Sequence, residues 1–194
     1  MVLIGIGANL PSPDYGPPRA TCGAALSMLE RGELSISARS RWYKSAPVPV
    51  SDQPWFVNGV VRVETALDPR ALVGLLLQTE EEIGRKRGER NAARILDLDL
   101  LAYGDLVWPG DGGRGGSGRG SVTVPHPRMH DRAFVLLPLR DVAPGWRHPI
   151  SGETVESLIR SLPKGQQTEA FADADGVFGT EWKEAGRPKP INKR

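Results

Sequence analysis

The stretch Arg94-Ile95-Leu96-Asp97-Leu98-Asp99-Leu100 decides how this chain is read. On an extended strand side chains alternate with period two, so Asp97 and Asp99 share one face and Leu96, Leu98 and Leu100 the other. On a helix the two aspartates would stand roughly 200° apart. Residues 95–103 are therefore predicted as a strand whose leucines lie against a core.

Working outward from that strand, Asp68-Pro69 is a helix start, an N-cap followed by proline at the first helical position. Leu72, Leu75, Leu76, Thr79 and Ile83 then form one apolar stripe, ended by Gly84. Residues 56–64, rich in valine, read as a strand, and Leu34, Ile36 and Ala38 alternate with polar residues in another. Nearer the N-terminus, 2–6 is a short apolar strand. After the proline-rich loop 11–18, a helix carries Cys22, Ala25, Leu26 and Leu29, with Gly32 as its stop. The order strand, helix, strand, strand, helix, strand predicts an α+β fold with a ferredoxin-like βαββαβ core, its mostly antiparallel sheet flanked by helices.

Downstream, 122–124 reads as a short strand, 131–142 as a helix interrupted near Pro138, and 154–162 as one more short helix. The segment 109–121 is glycine-rich and of low complexity, a surface insertion. After Lys164 the periodicity ends. The expected organisation is one domain over 1–164 and a poorly ordered polar tail over 165–194.

Composition narrows the function classes. The 194 residues carry 25 Lys+Arg against 23 Asp+Glu, a formal charge of +2, which does not suit a general polyanion binder. Cys22 is alone, so no intramolecular disulfide can form, as suits a reducing cytosol. The N-terminal apolar run is too short for a membrane span and lacks a basic leader. A cytoplasmic protein is expected, a monomer with no membrane or nucleic-acid partner.

Four features carry chemistry. Two carboxylates side by side repel; a bound Mg²⁺ removes the conflict, because it takes oxygen ligands and keeps positions for water and phosphate. A solvent-facing strand could also carry the pair by chance. Just upstream lie Arg85, Lys86, Arg87, Arg90 and Arg94, opposed only by Glu89. Cations delivered to a carboxylate pair suit a Mg-bound triphosphate, which guanidinium grips bidentately; the bland alternative is a solvated basic turn. Third, His126 is held between Pro125 and Pro127, with Arg132 as a further cation. Fourth, Asn58 shares a strand face with Phe56 and Val60, and an asparagine beside an aromatic ring can offer donor and acceptor to a stacked flat heterocycle.

Gly7-Ala8-Asn9-Leu10, Tyr43-Lys44-Ser45, Asp52-Gln53-Pro54, Phe56-Val57-Asn58, Gly84-Arg85-Lys86-Arg87, Arg94-Ile95-Leu96-Asp97-Leu98-Asp99 and Val124-Pro125-His126 occur in this order. Together, over about residues 2–162, they resemble the 6-hydroxymethyl-7,8-dihydropterin pyrophosphokinase family. The resemblance implies diphosphate transfer from ATP to 6-hydroxymethyl-7,8-dihydropterin in folate biosynthesis, with two Mg²⁺ ions and ATP bound before the pterin. It assigns Asp97 and Asp99 to the metals, and Arg85 and Arg94 to catalytic loops. Glu80, Arg87, Arg90, Thr123, His126 and Arg132 fall to ATP. Ser45, Ala46, Val48, Phe56, Asn58 and Phe134 fall to the pterin pocket.

The chain departs from that pattern at Asn91-Ala92-Ala93, where many members have Trp-Gly-Pro, and at Ala46, where proline is common. The loop from Arg85 to Arg94 is also one residue shorter than in some members. Two rivals remain. A D-x-D nucleotidyl- or glycosyltransferase has no place for the His126 motif or the Phe56–Asn58 segment. An RNA-binding module would need exposed aromatics for stacking.

Overall fold

In the computed structural model, residues 1–31, 33–84, 93–109 and 122–172 are described. Eight strands and four α-helices follow in the order β1 (Val2–Ala8), α1 (Pro18–Glu30), β2 (Leu34–Arg39), β3 (Tyr43–Ser45), β4 (Phe56–Thr65), α2 (Pro69–Ile83), β5 (Asp97–Tyr103), β6 (Trp108–Pro109), β7 (Thr123–Val124), α3 (Ala133–Val142), α4 (Val155–Arg160) and β8 (Thr168–Ala170). The main sheet runs β5-β1-β4-β3-β8, with β2 also paired to β4, and all of its pairings are antiparallel. β1, α1, β2, β4, α2 and β5 thus form the expected βαββαβ core.

Local chemistry explains the element ends. Asp68 caps α2 by accepting from the amides of Arg70 and Ala71 at 2.8 and 3.0 Å, and Pro69 occupies the first turn, where no donor is lost. Gly84 ends α2 at φ 103°, a left-handed conformation that glycine adopts without a Cβ penalty. Thr154 caps α4 through Ser157 N–H at 3.2 Å.

The sheet separates two cores. Ile4, Ile6, Val61, Val63, Leu98 and Leu100 face one side, against Cys22, Leu26 and Leu29 of α1 and Leu72, Leu76 and Ile83 of α2. Leu3, Val60 and Leu101 face the other, against Val135, Leu136 and Leu139 of α3 and Val155 of α4. α1 and α2 back one face of the sheet. On the other, α3 covers the Leu3–Val60–Leu101 end and leaves the Asp97–Asp99 end open.

Several expectations change in detail. The helix expected over 131–142 is divided at Arg132, not at Pro138. A 3₁₀ turn (Met129–Asp131) precedes an extended Arg132 (φ −119°, ψ 112°), and α3 then runs through Pro138 without a break. Proline removes one backbone donor, and burial of Val135, Leu136 and Leu139 holds the helix regardless. β3 and β6 are strands that the alternation did not reveal, being three and two residues long.

The boundary at Lys164 also shifts. Thr168–Ala170 forms β8 and pairs with β3, Ser45 opposite Thr168 and Tyr43 opposite Ala170. A three-residue polar strand has no hydrophobic pattern to betray it, because main-chain pairing holds it. Residues 110–121 of the glycine-rich insertion and 173–194 of the tail lie outside the described residues.

Candidate active site

The open half of the sheet face is built row by row from the strand register. Asn58 on β4 lies opposite Gly7 on β1, which lies opposite Asp97 on β5; one step along, Val60, Gly5 and Asp99 align in the same way. β1 therefore contributes glycines where its neighbours contribute side chains. The result is a trough between an asparagine–aromatic wall and the aspartate pair. A Cβ at Gly7 would lie 3.2 Å from Asn58 Oδ1, and one at Gly5 would lie 3.4 Å from Leu101.

This trough opens into a cleft of about 830 Å³. Of the residues singled out from sequence, Ser45, Ala46, Val48, Phe56, Asn58, Arg94, Asp97, Asp99, Thr123, His126, Arg132 and Phe134 all line it. They come from β3, β4, β5, β7, α3 and the connecting loops, so the fold gathers positions up to 89 residues apart. Arg85, Arg87 and Arg90 lie outside the described residues.

At one end of the cleft, Asn58 Nδ2 donates to Ser45 Oγ at 2.9 Å, and both residues are buried. That bond orients the Asn58 amide and leaves its Oδ1 toward the Gly7 trough. Phe56, on the same strand face as Asn58, and Phe134 at the start of α3 contribute aromatic walls. Val48, on the loop between β3 and β4, is half exposed at the rim.

At the other end Arg94 donates to Asp97 Oδ1, an ion pair with both side chains about three-quarters buried. His126 is tied to β5 by a backbone bond from its N–H to Leu101 O at 2.8 Å. Its Nδ1 accepts from Arg128 N–H at 3.2 Å, so in the neutral ring the proton sits on Nε2. Burial, then the nearby Arg132 and Arg128, pushes the His126 pKa down to about 4, against a smaller opposing pull from Asp97. The ring is a neutral donor near pH 7. Burial and Arg128 also disfavour the charge on Arg132, while Asp99 and Asp97 favour it. Cations crowded into a half-buried cleft suit an anionic ligand.

Glu80 does not line the cleft. It is fully buried on α2, and its Oε1 accepts from Leu98 N–H at 2.7 Å. β5 is an edge strand, whose alternate amides point away from β1 and need a partner from outside the sheet. Glu80 meets that need at the residue between Asp97 and Asp99, and so holds the strand that carries them. Its acidic identity was legible in the sequence. Its direction was not, since it depends on how α2 packs against β5.

Three contributors were missed by sequence reasoning. Gly5 and Gly7 could have been found, because two glycines spaced by two on a strand mark one depressed face. Asn9 stands in the Gly7–Leu10 motif, but nothing near it in the sequence discloses its role. Its Oδ1 accepts from Arg94 N–H at 2.7 Å, and its Nδ2 donates to Pro54 O at 3.1 Å and Gln53 Oε1 at 3.3 Å. The amides of Asn9 and Leu10 also donate to Arg94 O, at 2.9 and 3.0 Å. One buried asparagine thus joins the segment carrying Arg94 to the loop leading into Phe56.

Comparison with known proteins agrees with this geometry. The model of the 7,8-dihydro-6-hydroxymethylpterin-pyrophosphokinase (HPPK) family matches residues 3–144. A 2-amino-4-hydroxy-6-hydroxymethyldihydropteridine pyrophosphokinase of Pseudomonas aeruginosa is 39% identical over 165 residues, covering 84% of this chain and 91% of its own. Its counterpart from Synechocystis is 34% identical over 161 residues, covering 82% and 75%. Among solved structures, a triple mutant of Plasmodium falciparum HPPK-DHPS superposes with a TM-score of 0.64 at 15% identity, which supports the fold. This chain is covered over 82% of its length and spans 42% of that protein. With its ferredoxin-like sheet, its aspartate pair and its Phe56–Asn58 wall on one open face, the chain belongs to the HPPK family.

Proposed function

We propose that this protein transfers a diphosphate from ATP to 6-hydroxymethyl-7,8-dihydropterin, giving the pterin diphosphate and AMP. The observation that carries this reading is the register of the open sheet face. Phe56 and Asn58 stand on one side of the Gly5–Gly7 trough and the carboxylates Asp97 and Asp99 on the other, with Phe134 of α3 lining the same cleft. A flat ring against the wall would present its hydroxymethyl arm across Gly7 toward phosphates held at the aspartates. The relatives that span most of this chain are named for the same reaction.

Asp97 and Asp99 fit Mg²⁺: both are oxygen donors on one strand face. Among the described residues no third Asp, Glu, His or Cys joins them, which leaves coordination positions to phosphate and water. The metal, taken as two ions, would neutralise charge on the triphosphate oxygens. The protein's own residues do the rest. His126 donates from Nε2, and Arg132 supplies a charge that burial leaves in need of an anion. Thr123 lies at the adenosine end. Arg94, and Arg85, Arg87 and Arg90 from the preceding segment, engage the phosphates. The hydroxymethyl oxygen forms a bond to the β-phosphorus, its proton passes to solvent, and the bond from that phosphorus to the α,β-bridging oxygen breaks. AMP leaves. Ser45 holds the Asn58 amide so that one edge of the pterin meets both donor and acceptor, while Ala46 and Val48 close the rim. The protein acts as a monomer in the cytoplasm without nucleic-acid or membrane partners; no helix among the described residues is long and apolar enough to cross a membrane.

Phosphorus NMR of protein, ATP, Mg²⁺ and the hydroxymethyl dihydropterin tests the reaction. AMP and a pterin diphosphate should rise together. Stoichiometric ADP without AMP would mean transfer of a single phosphoryl group and end this reading.

The trough has its own test. In Gly7→Ala the new methyl lies 3.2 Å from Asn58 Oδ1, so the asparagine must give way and loosen its bond to Ser45. The KM for the pterin should rise about tenfold, roughly 1.4 kcal/mol of binding. Steady-state kinetics beside a thermal melt checks this: an unchanged pterin KM in a folded protein would remove Gly7 from the site.

A further inference from the structure

Beyond the family-matched residues, Gln166 stands at the corner between the 3₁₀ turn and α3. Its Oε1 accepts from Ala133 N–H at 2.9 Å, and its Nε2 donates to Asp131 O at 2.7 Å. Ala133 is the first residue of α3, whose amide has no partner within the helix, and Arg132, at the N-cap, provides no side-chain cap. One side-chain amide thus satisfies both main-chain groups flanking Arg132. The other end of α3 is held separately. Asp141 accepts from Arg41 Nε and Nη2 at 3.1 and 3.0 Å and from Tyr43 Oη at 3.0 Å.

The residues after Gln166 reach the opposite wall of the cleft. Gln167 O accepts from Ala46 N–H at 3.0 Å, β8 pairs with Tyr43–Ser45, and Phe171 N–H donates to Trp42 O at 3.1 Å. Glu169 adds an exposed ion pair to Lys44 at 2.9 Å, which contributes little by itself. A single short segment therefore bridges the two cleft walls at the end of α3 opposite the Asp141–Tyr43 bond. One is β3, with Ser45 and Ala46. The other is the Arg132–Phe134 corner, where the Arg132 guanidinium lies 5.3 Å from the Phe134 ring centre.

We propose that residues 165–172 form a strap that sets the width of the pterin pocket, with Gln166 as its positioning residue, acting through the backbone of residues 131–133 on Phe134. This rests on the pterin reading given above. Gln166 touches no substrate; it fixes where the Phe134 ring stands relative to Ser45 and Asn58. The segment lies outside residues 3–144, the part that the family model matches, and acts on the pocket from behind its walls.

The test compares wild type with Gln166→Ala and Gln166→Glu by hydrogen exchange, pterin titration and steady-state kinetics. Gln166→Ala is expected to speed exchange of the Ala133 amide at least about tenfold and raise the pterin KM and Kd about tenfold, with kcat at saturating pterin within about twofold. Gln166→Glu keeps an acceptor for Ala133 N–H and loses the donor to Asp131 O. It should hold the pterin KM within about threefold of wild type, a rescue that simple loss of packing would not produce. Faster exchange at Ala133 with unchanged pterin affinity would reduce Gln166 to a structural cap and overturn the proposal, as would no change in either. A wild-type protein that forms no AMP from ATP and the pterin overturns the pterin reading itself, and the strap's role with it.

Discussion

Asp97→Ala and Asp99→Ala are expected to abolish turnover, by at least about 1,000-fold or roughly 4 kcal/mol of barrier, while the protein keeps its fold. Both side chains point into the open trough, away from the leucine face, so removing them takes nothing from the core. The ion pair that Asp97 makes with Arg94 is partly solvated, and its loss costs little stability. Leu98→Asp is the control of opposite sign. Leu98 is 5% exposed and packs in the core shared with α1 and α2, so a carboxylate there would be buried without a partner. It should lower stability by several kcal/mol. Thermal melts and the AMP assay on the three variants decide the matter: unfolded aspartate variants beside an unharmed Leu98→Asp would contradict the strand orientation.

Arg94→Ala is expected to lose at least ~100-fold in kcat, about 2.7 kcal/mol of barrier. The guanidinium rests on Asp97, beside the place where the phosphates are proposed to lie. Its backbone is fixed by Asn9, so only the side chain has to turn from carboxylate to phosphate. A contact made chiefly in the transition state lowers kcat and kcat/KM together, whereas one made equally in the ground state mainly raises KM. ATP affinity by calorimetry should therefore change much less than kcat. His126→Ala supplies the contrast. Its ring already faces the cleft with Nε2 protonated, so its loss should weaken ATP binding itself. Normal turnover of Arg94→Ala at saturating ATP would mean that the arginine does no more than neutralise Asp97.

Features that depend on near neighbours are legible before the chain folds. The alternation through Leu96, Asp97, Leu98, Asp99 and Leu100 already separates a carboxylate face from an apolar one, because strand geometry is local. Asp68-Pro69 and Gly84 bound α2 for equally local reasons: a capping oxygen, a ring that lacks only a spare donor, and a left-handed φ. The order of elements, with the motif resemblance, was enough for the ferredoxin-like core and for twelve of the residues that line the cleft. Features that depend on distant packing emerge in the folded chain alone. Gly5 and Gly7 become a trough because β4 and β5 flank β1, and the trough stays open because α3 stops short of it. Glu80 faces Leu98 N–H instead of the cleft because of how α2 packs against β5. Asn9 and Gln166 act across 85 and 33 residues of chain, through main-chain groups that every residue carries. A backbone amide or carbonyl leaves no mark in the sequence, so partners chosen by it appear only once the chain is folded.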